Sequence, residues 1–312
     1  MKVLLNYRFS DEKMKELEAL GCELMYVPEP EMDGRDDYYD AEVWFTYKSF
    51  EDAELYKFKN LKLIILTSTG FDQVPRDFVV ENNIVVVNNK LGYSIPIAES
   101  IVMYILEVYK NSYQAMKKQE LKIWNMDMSW QEIAGKKVGF LGTGNISQCA
   151  AKRLQAFDVD IWGVNTNGRD VDYFSKCFPL SDSDEFFKEC DVIVGVMPST
   201  PGTDHVVDSE RLDMMKEGAV LINVGRGNLI DLSALGVYID KFKGVVLDVV
   251  EEEPLEPVSY LWDKENVIIT PHNSWVYDNN WKRRYDNLYR NLKAYVETGK
   301  PVDIVKDINR GY

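Results

Sequence analysis

The stretch Lys137-Val138-Gly139-Phe140-Leu141-Gly142-Thr143-Gly144-Asn145-Ile146-Ser147 decides the fold class. A short apolar run leads into a glycine turn, and a helical pattern through Ala150, Ala151 and Leu154 follows. Strand, tight turn and helix in that order open a parallel α/β unit. Gly142 suits the turn. Gly144 lets backbone approach a pyrophosphate, which would rest on the helix N-terminus where Asn145 and Ile146 form the first turn. Ser147 stands at the fingerprint's third position and is small enough to keep helix and strand close. A glycine-rich turn with no ligand is the plainer alternative, and the flanking strand and helix favour a dinucleotide.

Outward from this unit, apolar runs predict strands at Val138–Leu141, Val159–Val164, Val192–Val196, Val220–Val224, Val245–Val249 and Val267–Ile269. An earlier series is predicted at Val3–Leu5, Glu23–Val27, Val43–Thr46, Leu63–Leu66 and Ile84–Val87. Ser10 caps a helix there with Met14, Leu17 and Leu20 on one face, and Gly21 stops it. One long amphipathic helix is expected from Ser94 to about Lys118, followed by a connector through Trp130. A last helix is expected over Tyr277 to Glu297. The fold class that follows is α/β, with two doubly wound parallel-sheet, Rossmann-like domains.

Composition agrees with a packed two-domain protein: 312 residues, 46% hydrophobic and 12% aromatic. A net charge of −15 disfavours a nucleic-acid partner, because a phosphate backbone needs cations to hold it. The opening run Met1-Lys2-Val3-Leu4-Leu5-Asn6 breaks too early for a signal peptide. Glu99, Ser100 and Glu107 interrupt the apolar stretch Ile95–Tyr109, so no membrane span is expected. Cys22, Cys149, Cys177 and Cys190 show no paired spacing, so neither a disulfide nor a metal site is expected, and the cytoplasm is the expected compartment.

The second strand of the fingerprint unit ends at Asn165, with Thr166 and Arg169 after it. A carboxylate there would bind a ribose 2′-hydroxyl and repel a 2′-phosphate; a neutral amide with a nearby guanidinium does the reverse. NADP(H) is therefore expected over NAD(H). A surface pairing of Arg169 with Asp170 or Asp172 is the competing reading.

Three later strand ends each deliver an ionisable group beside a Gly or Pro: Arg226 between Gly225 and Gly227, the run Glu251-Glu252-Glu253 before Pro254, and His272 after Pro271. Open α/β sheets bind ligands at the carboxyl ends of their strands. A guanidinium fork suits a carboxylate and an adjacent carbonyl oxygen, and the flanking glycines would leave room for a ligand. Imidazole is the natural acid for a developing alkoxide and the base in reverse. Taken singly, Arg226 reads as a surface arginine, His272 as a structural histidine and the glutamates as a solvated turn. Spacing does not choose among the glutamates. His205 reads as structural.

Together these segments resemble the D-isomer-specific 2-hydroxyacid dehydrogenase family. The likeness runs through the Gly142-Thr143-Gly144 turn, Met197-Pro198 with Pro201 and Thr203, and Asn223-Val224-Gly225-Arg226-Gly227 with Asp231. It continues in Asp248-Val249, Glu253-Pro254-Leu255 and Thr270-Pro271-His272, with Ala98-Glu99, Trp124 and Thr69-Gly70-Phe71-Asp72 upstream. The resemblance selects Glu253 as the carboxylate that orients His272. It implies that Arg226 binds the substrate, that backbone N–H groups of Thr69 and Gly70 hold its carboxylate, and that Asp248 lies near the nicotinamide carboxamide. Met197, Pro198, Thr203, Val224 and Gly225 fall on the cofactor side. A discontinuous substrate domain, 1–95 plus 277–312, is implied around a cofactor domain, 96–276, the pair closing over substrate. A homodimer through the long helix and its connector is also implied. Ser147, Asn165 and Val250 depart from the family pattern.

The expected activity is hydride transfer between NAD(P)H and a small 2-oxo or D-2-hydroxy acid. The rival from another class is a nucleotide-sensing, corepressor-like binding protein on the same fold. Formate oxidation is disfavoured, because the family's formate enzymes carry an amide where this chain has Glu253. Tyr47, Lys48, Phe71, Tyr93 and Trp275 are candidate pocket walls, with ordinary packing as the alternative.

Overall fold

The computed structural model describes residues 1–90, 92–306 and 308, so residues 307 and 309–312 of the expected C-terminal segment lie outside the described residues. Two compact units emerge, Met1–Tyr93 with Tyr277–Tyr312, and Ser94–Val276.

In the first unit, β1 (Lys2–Leu5), α1 (Asp11–Glu18), β2 (Glu23–Tyr26), β3 (Val43–Thr46), β4 (Leu63–Leu66), α2 (Arg76–Glu81) and β5 (Val85–Val87) alternate as the apolar pattern requires. Ser10 caps α1, its side chain accepting from the Lys13 N–H. The strands are parallel in the order β2-β1-β3-β4-β5. Alternation sends Leu4, Trp44 and Ile64 to one core, with Phe58 and Tyr38. It sends Val3, Leu5, Phe45 and Ile65 to the other, where Tyr285, Leu288 and Leu292 of the last helix cover them.

In the second unit, the described elements are α3 (Ser94–Tyr109), α4 (Ser112–Glu120), β6 (Lys137–Leu141), α5 (Asn145–Leu154), β7 (Asp160–Asn165), β8 (Lys176–Pro179), α6 (Asp184–Glu189), β9 (Val192–Gly195), α7 (Ser209–Met214), β10 (Val220–Asn223), α8 (Leu232–Tyr238), β11 (Gly244–Leu247) and β12 (Val267–Ile269). The last helix, α9 (Asn280–Thr298), belongs to the first unit. The sheet is parallel in the order β12-β11-β10-β9-β6-β7-β8. Strand order reverses between β6 and β9, and that switch point is where such sheets open a ligand crevice. Helix α3 packs along α5, and Val108 presses on Gly244 at the start of β11.

Two expectations need correction. The helix expected from Ser94 to about Lys118 is two helices, broken at Asn111, which takes a left-handed conformation (φ 44°, ψ 40°). Asparagine tolerates that region. Its amide donates to Asp127 and Ser129 of the connector, and the Gln131 N–H donates to the Tyr109 carbonyl, so the chain folds back on the helix end. Strand β8 was not expected either: it is a short edge strand in which only Phe178 is buried, and it ends in a proline.

Candidate active site

Strands β10, β11 and β12 are neighbours, and Arg226, Glu253 and His272 follow their carboxyl ends in turn. Adjacent strands lie about 4.8 Å apart, so the three ends span roughly 10 Å. His272 Nδ1 lies 2.9 Å from Glu253 Oε2. A carboxylate accepts only, so Nδ1 carries the proton and Nε2 is left to face a reactant. Both side chains are partly exposed.

The loop that presents His272 is held by Asp248. This carboxylate is buried and accepts from Thr270 Oγ1 at 2.6 Å, from the Asn273 N–H at 2.8 Å, and from the N–H and Oγ of Ser274. Tyr104 of α3 bonds to Thr270 Oγ1 in turn. His272 itself has φ +54°, and its N–H bonds to the carbonyls of Asp248 (2.8 Å) and Thr270 (2.9 Å). A non-glycine residue there stores on the order of 1–3 kcal/mol, and these bonds hold it. Asp248, expected near a nicotinamide carboxamide, also orders the histidine loop with its oxygens.

At Arg226 the flanking glycines serve a purpose other than the expected one. A Cβ on Gly225 would sit 2.9 Å from the Met197 carbonyl oxygen, and one on Gly227 would sit 1.9 Å from that of Val250. The space belongs to protein backbone of the segments that follow β9 and β11, not to a ligand. Asn223 sets the turn, its amide accepting from the Gly225 N–H and donating to the Arg226 carbonyl. The half-buried Arg226 guanidinium donates to the Gly225 carbonyl at 2.8 Å.

The glycine turn after β6 fits a dinucleotide. Gly142 has φ +101° and lies against Val196, a conformation and a contact that both favour glycine. Helix α5 has no side-chain cap at Gly144, and a Cβ there would meet nothing within 4 Å, so the N–H groups of its first turn, at Asn145 and Ile146, border open space. Ser147 is fully buried and its hydroxyl has no hydrogen-bond partner among the described residues, which fits a residue standing where a glycine would pack. Met197 and Val224 are buried, and Thr203 ties its own loop by donating to the Pro198 carbonyl at 2.6 Å. The Asn165 amide is turned inward: it accepts from the N–H groups of Asn167 and Arg169 and donates to the Arg169 carbonyl and Thr143 Oγ1. Thr166 and Arg169 are exposed. Among the described residues Arg169 makes no ion pair with Asp170 or Asp172, and its guanidinium bonds Asn167 Oδ1 at 3.4 Å.

In the first unit, Thr69 Oγ1 donates to the Asn89 carbonyl, Asn88 donates to the Thr69 carbonyl, and Ser68 Oγ donates to the Gly70 carbonyl. Among the described residues no backbone bond uses the N–H of Thr69 or Gly70. Phe71 and Tyr93, expected as pocket walls, are buried: Phe71 lies in the core, and the Tyr93 hydroxyl donates to the Thr67 carbonyl. Tyr47 and Lys48 are exposed, and Trp275 is half-buried.

The family profile described as "D-isomer specific 2-hydroxyacid dehydrogenase, NAD binding domain" matches residues 102–274, more than half of the chain. This chain belongs to the D-isomer specific 2-hydroxyacid dehydrogenase family. A glyoxylate reductase of Thermofilum pendens is 32% identical over 254 residues, 79% of this chain and 75% of that protein. A glycerate dehydrogenase of Methylorubrum extorquens is 29% identical over 262 residues, 79% of each chain. The NADPH-dependent glyoxylate/hydroxypyruvate reductase of Sinorhizobium meliloti, solved with citrate, superposes with a TM-score of 0.83 at 23% identity, covering 98% of this chain and 97% of that one. That last likeness concerns the fold.

Within this member of the family, sequence reasoning missed Asn223, Thr270 and Ser274 as the residues that shape the turns around Arg226 and His272. Short polar residues at or just past a strand end are the signal for such turns. It also left His205 without a partner, whereas His205 Nε2 lies 2.9 Å from Glu251 Oε1. That pair joins segments 46 residues apart, a separation no local pattern conveys.

Proposed function

We propose that this chain is a cytoplasmic reductase of small 2-oxo acids that prefers NADPH to NADH and oxidises D-2-hydroxy acids in reverse. The observation that carries the reading is the His272 Nδ1–Glu253 Oε2 contact of 2.9 Å, one strand end from Arg226 in the sheet order. When bound, a reduced nicotinamide supplies hydride to the carbonyl carbon. The Arg226 guanidinium draws electron density toward the carbonyl oxygen, and charge develops there against a fixed cation. His272 Nε2 delivers a proton to that oxygen, while Glu253 holds Nδ1 and stabilises the imidazolium before transfer. Gly142, Gly144, Asn145 and Ile146 are assigned to the pyrophosphate, with Met197, Pro198, Thr203, Val224 and Gly225 beside the rest of the cofactor.

The preference for NADPH rests on Arg169, an exposed guanidinium with no carboxylate partner among the described residues, on a loop that the Asn165 amide already orders. The free thiols at Cys22, Cys149, Cys177 and Cys190 suit a reducing compartment. Initial rates over a set of 2-oxo acids, from glyoxylate to branched and dicarboxylic ones, with each reduced nicotinamide test the reading. Turnover of at least one acid, faster at low NADPH than at equal NADH, is expected. Tight cofactor binding without turnover of any acid would reject it in favour of a binding protein.

A further inference from the structure

Besides His272–Glu253, the second unit holds another imidazole–carboxylate pair, His205–Glu251, and its partner carboxylate lies two residues from Glu253. We infer that His205 is a positioning residue for the reaction proposed above, pinning the Val250–Glu253 turn so that Glu253 meets His272. The turn is gripped at both ends. Glu251 Oε1 accepts from His205 Nε2 at 2.9 Å and from the Leu232 N–H at 3.4 Å, while Glu253 Oε2 meets His272 and its Oε1 accepts from the Val250 N–H at 3.4 Å. Between them Gly227 lies against the Val250–Glu251 peptide, so the same turn also abuts the segment that carries Arg226.

His205 is well anchored for this role. Its N–H donates to the Asn228 carbonyl at 2.7 Å, and the Asn228 amide braces Asp204 at 2.7 Å and Ser199 at 2.9 Å. Its left-handed backbone (φ +47°) aims the ring from that brace toward Glu251. A partly exposed imidazole–carboxylate contact contributes little to stability, so stability alone is a weak reason for this one. Register is the stronger reason: displacement of a catalytic group by about 1 Å costs on the order of 10²-fold in rate.

The test compares His205→Asn, His205→Gln and Glu251→Ala with wild type, and repeats His205→Asn in a Glu253→Gln background. Asparagine accepts the left-handed backbone but places its amide nitrogen where Nδ1 was, whereas glutamine places its nitrogen near Nε2. His205→Asn and Glu251→Ala are expected to lower kcat about tenfold, leave cofactor Kd and substrate KM within about twofold, and keep the fold by circular dichroism. His205→Gln is expected to restore most of the rate. In Glu253→Gln the His205→Asn change is expected to cost nothing further, since two residues acting as one unit are not additive. A working wild type whose kcat is indifferent to His205→Asn, or an equal further loss in Glu253→Gln, overturns the positioning role alone. Wild-type silence over every 2-oxo acid overturns the parent reading, and this role with it.

Discussion

A single carboxylate, Asp248, accounts for how a histidine with a left-handed backbone is presented at a strand end. It gathers donors from Thr270, Asn273 and Ser274, and each leaves His272 one fewer way to move. Asp248→Asn supplies one acceptor oxygen and turns an N–H₂ toward donors. A buried hydrogen-bonded charge contributes roughly 1.5–3 kcal/mol per bond, so a loss of about 2 kcal/mol in thermal unfolding is expected, with kcat falling while cofactor Kd changes little. A variant with lowered cofactor affinity and unchanged stability would instead assign Asp248 to the nicotinamide alone. Arg226 and His272 stood out in the sequence because each lies just past an apolar run beside Gly or Pro, whereas Glu253 was chosen from three consecutive glutamates only by the family resemblance. The role of Asp248 was not legible, because its partners lie 22 to 26 residues on and come into reach only when β11 and β12 pair.

At the scale of elements, glycines that look alike in sequence separate into two kinds. Gly227 has the backbone of Val250, past the end of β11, where its Cβ would be, at 1.9 Å, and Gly144 has nothing within 4 Å. Gly227→Ala is expected to cost more than about 3 kcal/mol or abolish folding, because backbone has no easy way to retreat. Gly144→Ala is expected to fold at least as well as wild type, gaining up to about 1 kcal/mol from a stiffer unfolded chain. Its methyl would fill the space before α5, so cofactor Kd should rise about tenfold or more. Equal stability losses in both variants would refute the distinction. Helix positions were legible from periodicity, but the break at Asn111 was not. The amphipathic pattern runs through it, and the cause is a set of bonds to residues 127–131 of the connector.

For the molecule as a whole, apolar runs were enough to read two parallel sheets, since every strand but β8 shows a short apolar run followed by a helix or turn. The edge strand β8 escaped because an edge needs little apolar surface. The helix and connector from Met116 to Met128 expose Met116, Leu121, Trp124, Met126 and Met128, with Trp124 wholly solvated. Apolar patches of that kind mark interaction surfaces, and we propose that a second copy of this chain covers this one. Sedimentation should give a dimer for wild type and a monomer for Trp124→Glu; a wild-type monomer would refute it. The most direct measurement of the chemistry itself is a single turnover. Enzyme loaded with NADPH is mixed with a 2-oxo acid that the wild type reduces, and loss of the reduced-nicotinamide absorbance is followed. His272→Gln should slow that decay by about 10²–10⁴-fold, with cofactor affinity unchanged in a fluorescence titration. Decay at the wild-type rate in that variant would contradict the account.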